Sequence, residues 1–511
     1  MNSAFGIVAV ALVTLATLAI GTWGLRFART TSDFYVASRT VRPALNASAI
    51  GGEYLSAASF LGVAGLVLVF GAEMLWYPVG WTAGYLVLLV LVAAPLRRSG
   101  AYTLPDFAEA RTGSRRVRGL CSVMVVGIGW LYLLPQFQGA GVTLAATTGA
   151  PSWVGPVVVA AVVLVNVGSG GMRSITFVQA FQYWLKLTAL LLPAAVLVAV
   201  WWSDGRPGPA SESTGNWSLP IADGGTVGLY TTWSLIIATF LGTMGLPHVV
   251  VRFYTNPDGR AARRTTLIVL GLLGLFYVLP PVYAALGRVY GDALSHGGTG
   301  DTLVLELPSL MLPGLGGDLL TGLVTAGAFA AFLSTSSGLS IAVAGVLSQD
   351  VTGRLASRLP ERLHSTPDRR QVTAFRLGAV VAVVVPASAA LLAPDVPVAR
   401  VVGLAFAVSA STFAPLLLLG IWWRGLTPAG AIAGLLVGGV GSATSVVWTL
   451  ADPAYGGWVD ALLGQPAAWS VPAACLTMVA VSRATSATVP SHVRRFMVRL
   501  HTPEAVELDR G

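Results

Sequence analysis

Two apolar segments of membrane-spanning length are interrupted by glycine near their middles. The interruptions are Ile50-Gly51-Gly52-Glu53 and Leu241-Gly242-Thr243-Met244-Gly245-Leu246-Pro247. A backbone that leaves the helix inside a membrane exposes N–H and C=O groups, which are costly there unless an ion or a solute binds them. Paired breaks in corresponding halves of a chain are typical of the binding sites of membrane transporters. Transport is therefore the first functional hypothesis.

The residues beside each break suggest different ligands. Pro247 suits the first turn of a helix that restarts after Gly245, and the N–H groups of such a helix start attract an anion. At the other break, a half-helix that ends near Ile50 would offer carbonyl oxygens to a hard cation such as sodium. Glu53 would begin the next half-helix, where its charge is favoured. An acid this deep in an apolar run indicates a functional residue, and a structural acid that faces internal water is the alternative.

Other polar side chains in the apolar runs are weaker candidates. Ser334 and Thr335 could supply hydroxyl ligands to a cation, or could cap the preceding helical turn. Gln136 could contact a solute or hold a helix bend. His248, beside the second break, could bind a solute or carry protons, and a hydrogen-bonded core histidine is the alternative. Tyr54 could line a gate, although aromatic residues near span ends are usually interfacial.

The composition predicts an integral membrane protein with an all-α fold. Hydrophobic residues make up 55% of the chain, charged residues make up 10%, and the mean hydropathy is +0.74. Without a long polar stretch between the apolar runs, we expect a single membrane domain. Division at the polar breaks gives about thirteen spans of bilayer length. Their approximate limits are 4–25, 43–70, 74–96, 117–146, 153–168, 175–201, 228–250, 265–288, 315–348, 373–393, 398–422, 428–450 and 467–482.

Charge supports this division, because nearly all of the 31 Lys+Arg fall in alternate loops. The positive-inside rule then places the N-terminus outside and the C-terminus in the cytoplasm of a multi-pass cell-membrane protein. The net charge of +9 reflects this topology, so we expect no nucleic-acid partner. The two cysteines suggest neither a disulfide nor a metal site.

The breaks fall in the second and seventh spans, which therefore cross the membrane in opposite directions. This spacing predicts an inverted repeat of two five-helix halves with two discontinuous helices. The predicted divisions are an N-terminal extra span with its loop at 1–42 and a ten-helix transport core at 43–424. Two additional spans would follow at 425–482, with a short tail at 483–511.

Several ordered motifs resemble one known family. They are Asp33-Phe34-Tyr35-Val36-Ala37-Ser38-Arg39, Gly52-Glu53-Tyr54-Leu55-Ser56-Ala57-Ala58-Ser59-Phe60-Leu61-Gly62, Tyr102-Thr103-Leu104-Pro105-Asp106-Phe107, Gln136-Phe137-Gln138-Gly139-Ala140-Gly141, Gly170-Gly171-Met172 with Gln179, and Gly245-Leu246-Pro247-His248 continuing to Arg252-Phe253-Tyr254-Thr255. Together they resemble the sodium:solute symporters, which have a leucine-transporter-like 5+5 inverted repeat. Within that family the chain is most similar to the cation–acetate symporter and actinobacterial monocarboxylate transporter branch.

The resemblance implies a sodium site built from backbone and hydroxyl oxygens. Its expected cation-binding residues are Gly52, Leu55, Ala331, Ser334 and Thr335. The hydroxyl pair favours sodium as the coupling ion, with a proton as the alternative. The expected substrate-binding residues are Glu53, Tyr54, Gln136, Gly242, Gly245 and His248.

We therefore expect a secondary-active symporter that takes up a small monocarboxylate such as acetate, propionate or pyruvate with an inward cation flow. Such a protein is not an enzyme and needs no catalytic residue or cofactor. Its expected partners are the carboxylate and the lipid bilayer, without an obligatory protein partner. Proline, pantothenate or a sugar is the alternative solute. A symporter-like membrane sensor is a weaker alternative, because no kinase-like sequence follows the last span.

Overall fold

The structure is a computed structural model that describes residues 3–24, 37–209, 217–219, 225–291, 300–352, 367–392, 398–451 and 457–504. All regular elements in these ranges are helical. The helices of the first half are α1 (Ser3–Gly24), α2 (Pro43–Tyr54), α3 (Ala58–Phe70), α4 (Ala72–Arg98), α5 (Leu104–Thr112), α6 (Arg115–Thr148), α7 (Val154–Gly168) and α8 (Gly171–Ser203). The helices that follow are α9 (Gly225–Gly245), α10 (Pro247–Phe253), α11 (Gly259–Tyr290), α12 (Leu303–Met311), α13 (Leu315–Val351), α14 (Pro367–Leu392), α15 (Val398–Trp422), α16 (Pro428–Ala451), α17 (Gly457–Gly464), α18 (Ala467–Ala484) and α19 (Val493–His501).

The predicted all-α membrane architecture is confirmed. In the described ranges, 11 helices are long and apolar enough to cross a membrane, and the bent pair of α2 and α3 adds one more span. The shorter apolar helix α7 lies at the position predicted for the fifth span. The motif segment Asp33-Phe34-Tyr35-Val36 lies outside the described residues, as does the end of the predicted tail from residue 505.

The first break lies a few residues beyond its predicted position. The prediction that the helix breaks at Gly51-Gly52 is wrong, because α2 continues through both glycines and ends at Tyr54. The backbone N–H of Leu55 still bonds to the carbonyl of Gly51 at 3.1 Å. Residues 55 and 56 then leave the helix, and α3 continues at 72° to α2. Glu53 consequently lies at the C-terminal end of a half-helix and not at the start of the next one.

The second break agrees with its prediction. α9 ends at Gly245, and α10 begins with Pro247 in its first turn. Leu246 between them is extended, with ψ 122°. Proline has no N–H to lose at a helix start and its φ already suits the helix, which explains why the chain restarts there.

The glycines before each break let two helices approach closely. A Cβ on Gly51 would lie 2.7 Å from the Tyr183 ring of α8, and one on Gly52 would overlap the Gln179 carbonyl of α8. In the other half, a Cβ on Gly242 would overlap the Phe406 carbonyl of α15. Thus the first helix of each five-helix half packs closely on the last helix of the same half. Small residues at such crossings allow van der Waals contact between membrane helices.

Helix α13 is the innermost span of the described bundle. Every residue of α13 from 324 to 347 is buried, and the helix packs against α1, α6, α8 and α14. Ser334 and Thr335 lie within this stretch, and both side chains are fully buried. The predicted hydroxyl pair is therefore held in the protein interior, beside the first break.

Replacement of either close-packing glycine should destabilise the protein. In Gly52→Ala and Gly242→Ala, the new methyl group meets a backbone carbonyl that cannot rotate away. We expect each variant to lose about 1–3 kcal/mol or more of stability. Thermal unfolding of the purified protein in detergent measures this loss.

Gly127→Ala is the matched control, because a Cβ there meets no atom within 4 Å among the described residues. It should be neutral or slightly stabilising, since alanine favours a helix more than glycine does. Equal melting temperatures for Gly52→Ala, Gly242→Ala and Gly127→Ala would contradict the close-packing account.

Candidate functional site

The Lys186 ammonium lies at the junction of α2, α8 and α13. It donates hydrogen bonds to the carbonyl of Gly52, to the carbonyl of Leu55 at 2.7 Å and to the Ser334 hydroxyl at 2.9 Å. The side chain is fully buried. Its four-carbon stem reaches across from α8, and all three acceptors belong to the predicted cation site. The ammonium thus lies where the sequence predicts a cation.

The structure brings all five predicted cation-binding residues together. Gly52, Leu55 and Ser334 contact Lys186 directly. The Ser334 hydroxyl also donates to the carbonyl of Ala331 at 3.1 Å. The Thr335 hydroxyl donates to the carbonyl of Glu53 at 2.6 Å. Their assignment as sodium ligands stays a prediction, while their shared location at the first break is observed.

Sequence reasoning did not assign Lys186 to the site. The available signal was its position, since a lysine inside an apolar span is functional by default. Spacing alone cannot show which neighbour such a side chain faces, because the rotation of α8 relative to α2 is decided by packing. Gly51 and Gly52 permit that packing, so they also determine where Lys186 reaches.

Glu53 forms a buried ion pair with Arg252. The Arg252 Nε lies 2.6 Å from the Glu53 carboxylate, and the side chains are 1% and 2% exposed. Arg252 also donates to the Thr176 hydroxyl at 3.0 Å and to the Gln179 side-chain oxygen. The pair therefore connects α2, α8 and α10. The additional hydrogen bonds of the Arg252 guanidinium offset part of the cost of burying the pair.

This pair corrects the role predicted for Glu53. The helix dipole at a half-helix start cannot hold its charge, because Glu53 lies at the C-terminal end of α2. Arg252, which the sequence places among loop arginines, supplies the compensating charge. Gly338 on α13 makes room for the carboxylate, since a Cβ there would overlap it.

Gln136 on α6 forms hydrogen bonds that support the first break. Its side-chain oxygen accepts a hydrogen bond from the backbone N–H of Ala57 at 3.0 Å, and its NH₂ group donates to the carbonyl of Tyr132 at 3.3 Å. Both ends of the amide are therefore bonded to protein. We omit Gln136 from the solute site proposed below and assign it to the support of the break.

A group of aromatic rings lies between the two breaks, and we call it the aromatic wall. Centroid distances between its rings run from 4.9 Å for Tyr54 and Tyr85 to 6.3 Å for Tyr54 and Phe406. The Phe406 ring is central, because it also contacts Trp81 at 5.6 Å and Tyr132 at 5.9 Å. The members are Tyr54, Trp81, Tyr85, Tyr132, His248, Tyr277 and Phe406.

Several buried polar atoms of the aromatic wall lack a hydrogen-bond partner among the described residues. They are the Trp81 indole nitrogen, the Tyr85 hydroxyl and both ring nitrogens of His248. All three side chains are at most 2% exposed. Buried polar groups are ordinarily paired, so a cluster of unpaired ones calls for a ligand or water that they bind.

The other predicted substrate-binding residues frame this region. The Tyr54 hydroxyl shares a 2.8 Å hydrogen bond with the Thr243 hydroxyl, which joins α2 to α9. The Ser409 hydroxyl donates to the carbonyl of Gly242 at 2.8 Å. A Cβ on Gly245 would lie 2.7 Å from the Phe413 Cβ. Gly242 and Gly245 thus allow the second break to pack against α15, while His248 and Tyr54 belong to the aromatic wall.

Comparison with known sequences identifies the family. Residues 34–438 match the Sodium:solute symporter family. The uncharacterized symporter YwcA of Bacillus subtilis (strain 168) is 30% identical over 475 residues, which cover 89% of this chain and 88% of that protein.

Solved structures share the fold. A substrate-bound, outward-open Na⁺-coupled sialic acid symporter superimposes with a TM-score of 0.67 at 17% identity, over 93% of this chain and 98% of that one. A mutant of the Eremococcus coleocola manganese transporter superimposes with a TM-score of 0.52 at 16% identity, over 92% and 97% of the two chains. At these identities the likeness concerns the fold, and it agrees with the expected inverted-repeat architecture.

Removal of one partner of the buried ion pair should lower the stability of the fold far more than removal of both. Glu53→Gln leaves the Arg252 guanidinium buried without its carboxylate, and we expect a loss of about 3–5 kcal/mol of stability. The double variant Glu53→Gln with Arg252→Gln should regain part of this loss. A double-mutant cycle on the thermal unfolding of the detergent-solubilised protein measures the coupling.

The control is Glu504→Gln, which breaks the more exposed ion pair of Arg98 and Glu504. A pair of that kind contributes at most about 1 kcal/mol. If Glu53→Gln were no more harmful than Glu504→Gln, the buried pair would not contribute as argued.

Proposed function

Because the chain belongs to the sodium:solute symporter family, we propose that it is a secondary-active symporter that takes up a small monocarboxylate with a cation. Acetate, propionate and pyruvate are the solutes proposed. The observation that carries the solute class is the set of unpaired buried donors on the aromatic wall. The family suggests sodium as the coupling ion. A proton gradient is the alternative driving force for uptake.

The unpaired donors suit a carboxylate. An ionised carboxylate accepts hydrogen bonds at about four lone-pair sites on its two oxygens. The Trp81 indole N–H, the Tyr85 hydroxyl and one His248 N–H are donors of the required kind. Hydrogen bonds to an ionised acceptor are the stronger ones, so they can offset the loss of its hydration.

The surrounding rings favour a small solute. Ring centroids across the aromatic wall lie only 4.9–6.3 Å apart, so the rings contact one another closely. The apolar faces of Phe406 and Tyr277 would contact a short alkyl group. Ligand sites of this type combine an apolar lining with a few oriented polar groups.

The buried charges also favour a single negative charge on the solute. Glu53, Lys186 and Arg252 are buried near the first break. Glu53 and Arg252 neutralise each other as an ion pair, which leaves the positive charge of Lys186. A monocarboxylate bound beside the first break would balance it, and buried charges are stable when they are balanced.

The proposed organisation follows from the sequence. Residues 43–424 form the transport core, with an extra N-terminal span in 1–42, two further spans in 425–482 and a tail in 483–511. The N-terminus lies outside and the arginine-rich loops lie in the cytoplasm, as the positive-inside rule indicates. Within the core, we assign the solute to Tyr54, Trp81, Tyr85 and His248.

Uptake into proteoliposomes tests the proposed function. Labelled acetate, propionate or pyruvate should accumulate above equilibrium when an inward gradient of sodium or of protons is imposed, and each gradient forms a separate arm. An ionophore that collapses the imposed gradient should abolish the accumulation. Uptake that is indifferent to both gradients would contradict symport, and competition by proline, pantothenate or a sugar alone would contradict the solute class.

The Tyr85 hydroxyl provides a sharper test of the solute site. Tyr85→Phe removes no hydrogen bond seen among the described residues, so the fold should keep its stability. Loss of a hydrogen bond to an ionised group costs about 1.5–3 kcal/mol, so the KM for the monocarboxylate should rise by about 10-fold to 150-fold.

Tyr290→Phe is the matched control, because its hydroxyl donates to Asp204 at 2.7 Å on an exposed surface. Its KM should remain that of the unmodified protein. An unchanged KM in Tyr85→Phe would remove this hydroxyl from the site.

A further inference from the structure

The Lys186 ammonium has the coordination expected of a bound monovalent cation. Its three N–H donors match three oxygen acceptors, namely two backbone carbonyls and one hydroxyl. An ammonium has three donors and no acceptor, so these bonds use its full capacity. None of the three acceptor groups carries a charge. The positive charge is therefore stabilised by oxygen dipoles, as it is for an ion in a site made of carbonyl and hydroxyl oxygens.

The other charged and titratable groups near this junction make no hydrogen bond to Lys186 among the described residues, although the Glu53 charge acts on it electrostatically. Glu53 on α2 pairs with Arg252 of α10. His248 of α10 contacts the Tyr132 ring on the aromatic wall. On α8 itself, the Tyr183 hydroxyl donates to the carbonyl of Leu272. The Lys186 charge is thus held by the predicted cation ligands and not by a hydrogen-bonded carboxylate.

The backbone of α8 is fixed relative to these ligands. Gln179, two turns before Lys186 on α8, donates to the carbonyl of Ser334 at 2.9 Å. Gly52 brings α2 against the same part of α8, since any larger residue would overlap the Gln179 carbonyl. Lys186 is therefore directed into the junction by contacts with both α2 and α13.

We propose that the ammonium of Lys186 takes the place of the sodium ion at the junction of α2, α8 and α13, so that this site binds no external sodium. The inference rests on the proposed function, because the family assigns a cation to this location. The Lys186 cation is covalently attached and cannot cross the membrane with the solute. This junction then makes no contribution to sodium-driven uptake, and Lys186 determines the ion specificity of the site.

The experiment is a thermal-shift measurement on the purified full chain in detergent. Melting temperatures are compared in sodium chloride, potassium chloride and choline chloride at equal ionic strength. Lys186→Ala removes the ammonium and leaves the Gly52, Leu55 and Ser334 oxygens facing one another. A ligand that binds only the folded state raises its stability, so this variant should gain a sodium-specific rise in melting temperature. The unmodified protein should show no sodium-specific rise that depends on Ser334.

Gln182→Ala is the matched control. Gln182 lies about one turn before Lys186 on α8 and is fully buried, but its amide donates to the Thr17 hydroxyl of α1 at 3.1 Å. The melting temperature of the control should respond to the three salts as that of the unmodified protein does. A sodium response in Gln182→Ala equal to that of Lys186→Ala would overturn the proposal, since loosening α8 would then suffice.

Two further outcomes overturn the proposal. One is a folded Lys186→Ala variant without any sodium-specific shift. The other needs no lysine variant: a sodium-specific shift in the unmodified protein that Ser334→Ala abolishes. Because the measurement involves neither solute nor gradient, its outcome is independent of the uptake assay. A failure of this proposal is thereby separated from a failure of the proposed function.

Discussion

The break between α2 and α3 depends on hydrogen bonds that α2 cannot make for itself. Backbone groups at membrane depth must find partners within the protein, and here three other helices supply them. Lys186 of α8 bonds to the carbonyls of Gly52 and Leu55. Thr335 of α13 bonds to the carbonyl of Glu53, and Gln136 of α6 accepts from the N–H of Ala57. Any movement of α2 must therefore exchange bonds with all three helices.

The glycine pairs matter because they bring these partners within reach. Each pair lies on the face of a discontinuous helix that packs on the last helix of its own half. The two halves thus pack in the same way, which supports the inverted repeat. Their sequences show no recognisable identity. The chemistry at the two junctions nevertheless differs. The first junction contains a buried lysine, whereas the second has the Ser409 hydroxyl bonded to the carbonyl of Gly242.

The sequence predicted what depends on local pattern. Apolar run length and arginine placement located the spans, and hydroxyls in an apolar run pointed to Ser334 and Thr335. The position of the first break was missed because glycine serves close packing and helix interruption alike. Arg252 resembled a loop arginine, and its pairing with Glu53 across 199 positions depends on how α10 folds back against α2. The Lys186 contacts likewise require the rotation of α8, which only tertiary packing determines.

Three consecutive residues at the end of α2, of which Leu55 lies just beyond the helix, connect these separate contacts. The Glu53 side chain faces Arg252, the Tyr54 ring belongs to the aromatic wall, and the Leu55 carbonyl accepts from Lys186. They share one backbone, so a shift that optimises one contact changes the geometry of the other two. A solute that binds one arrangement of this segment better than another must favour the matching arrangement at the cation junction. Coupling between two sites is reciprocal. The group that occupies the cation junction, here Lys186, therefore also influences the affinity for the solute.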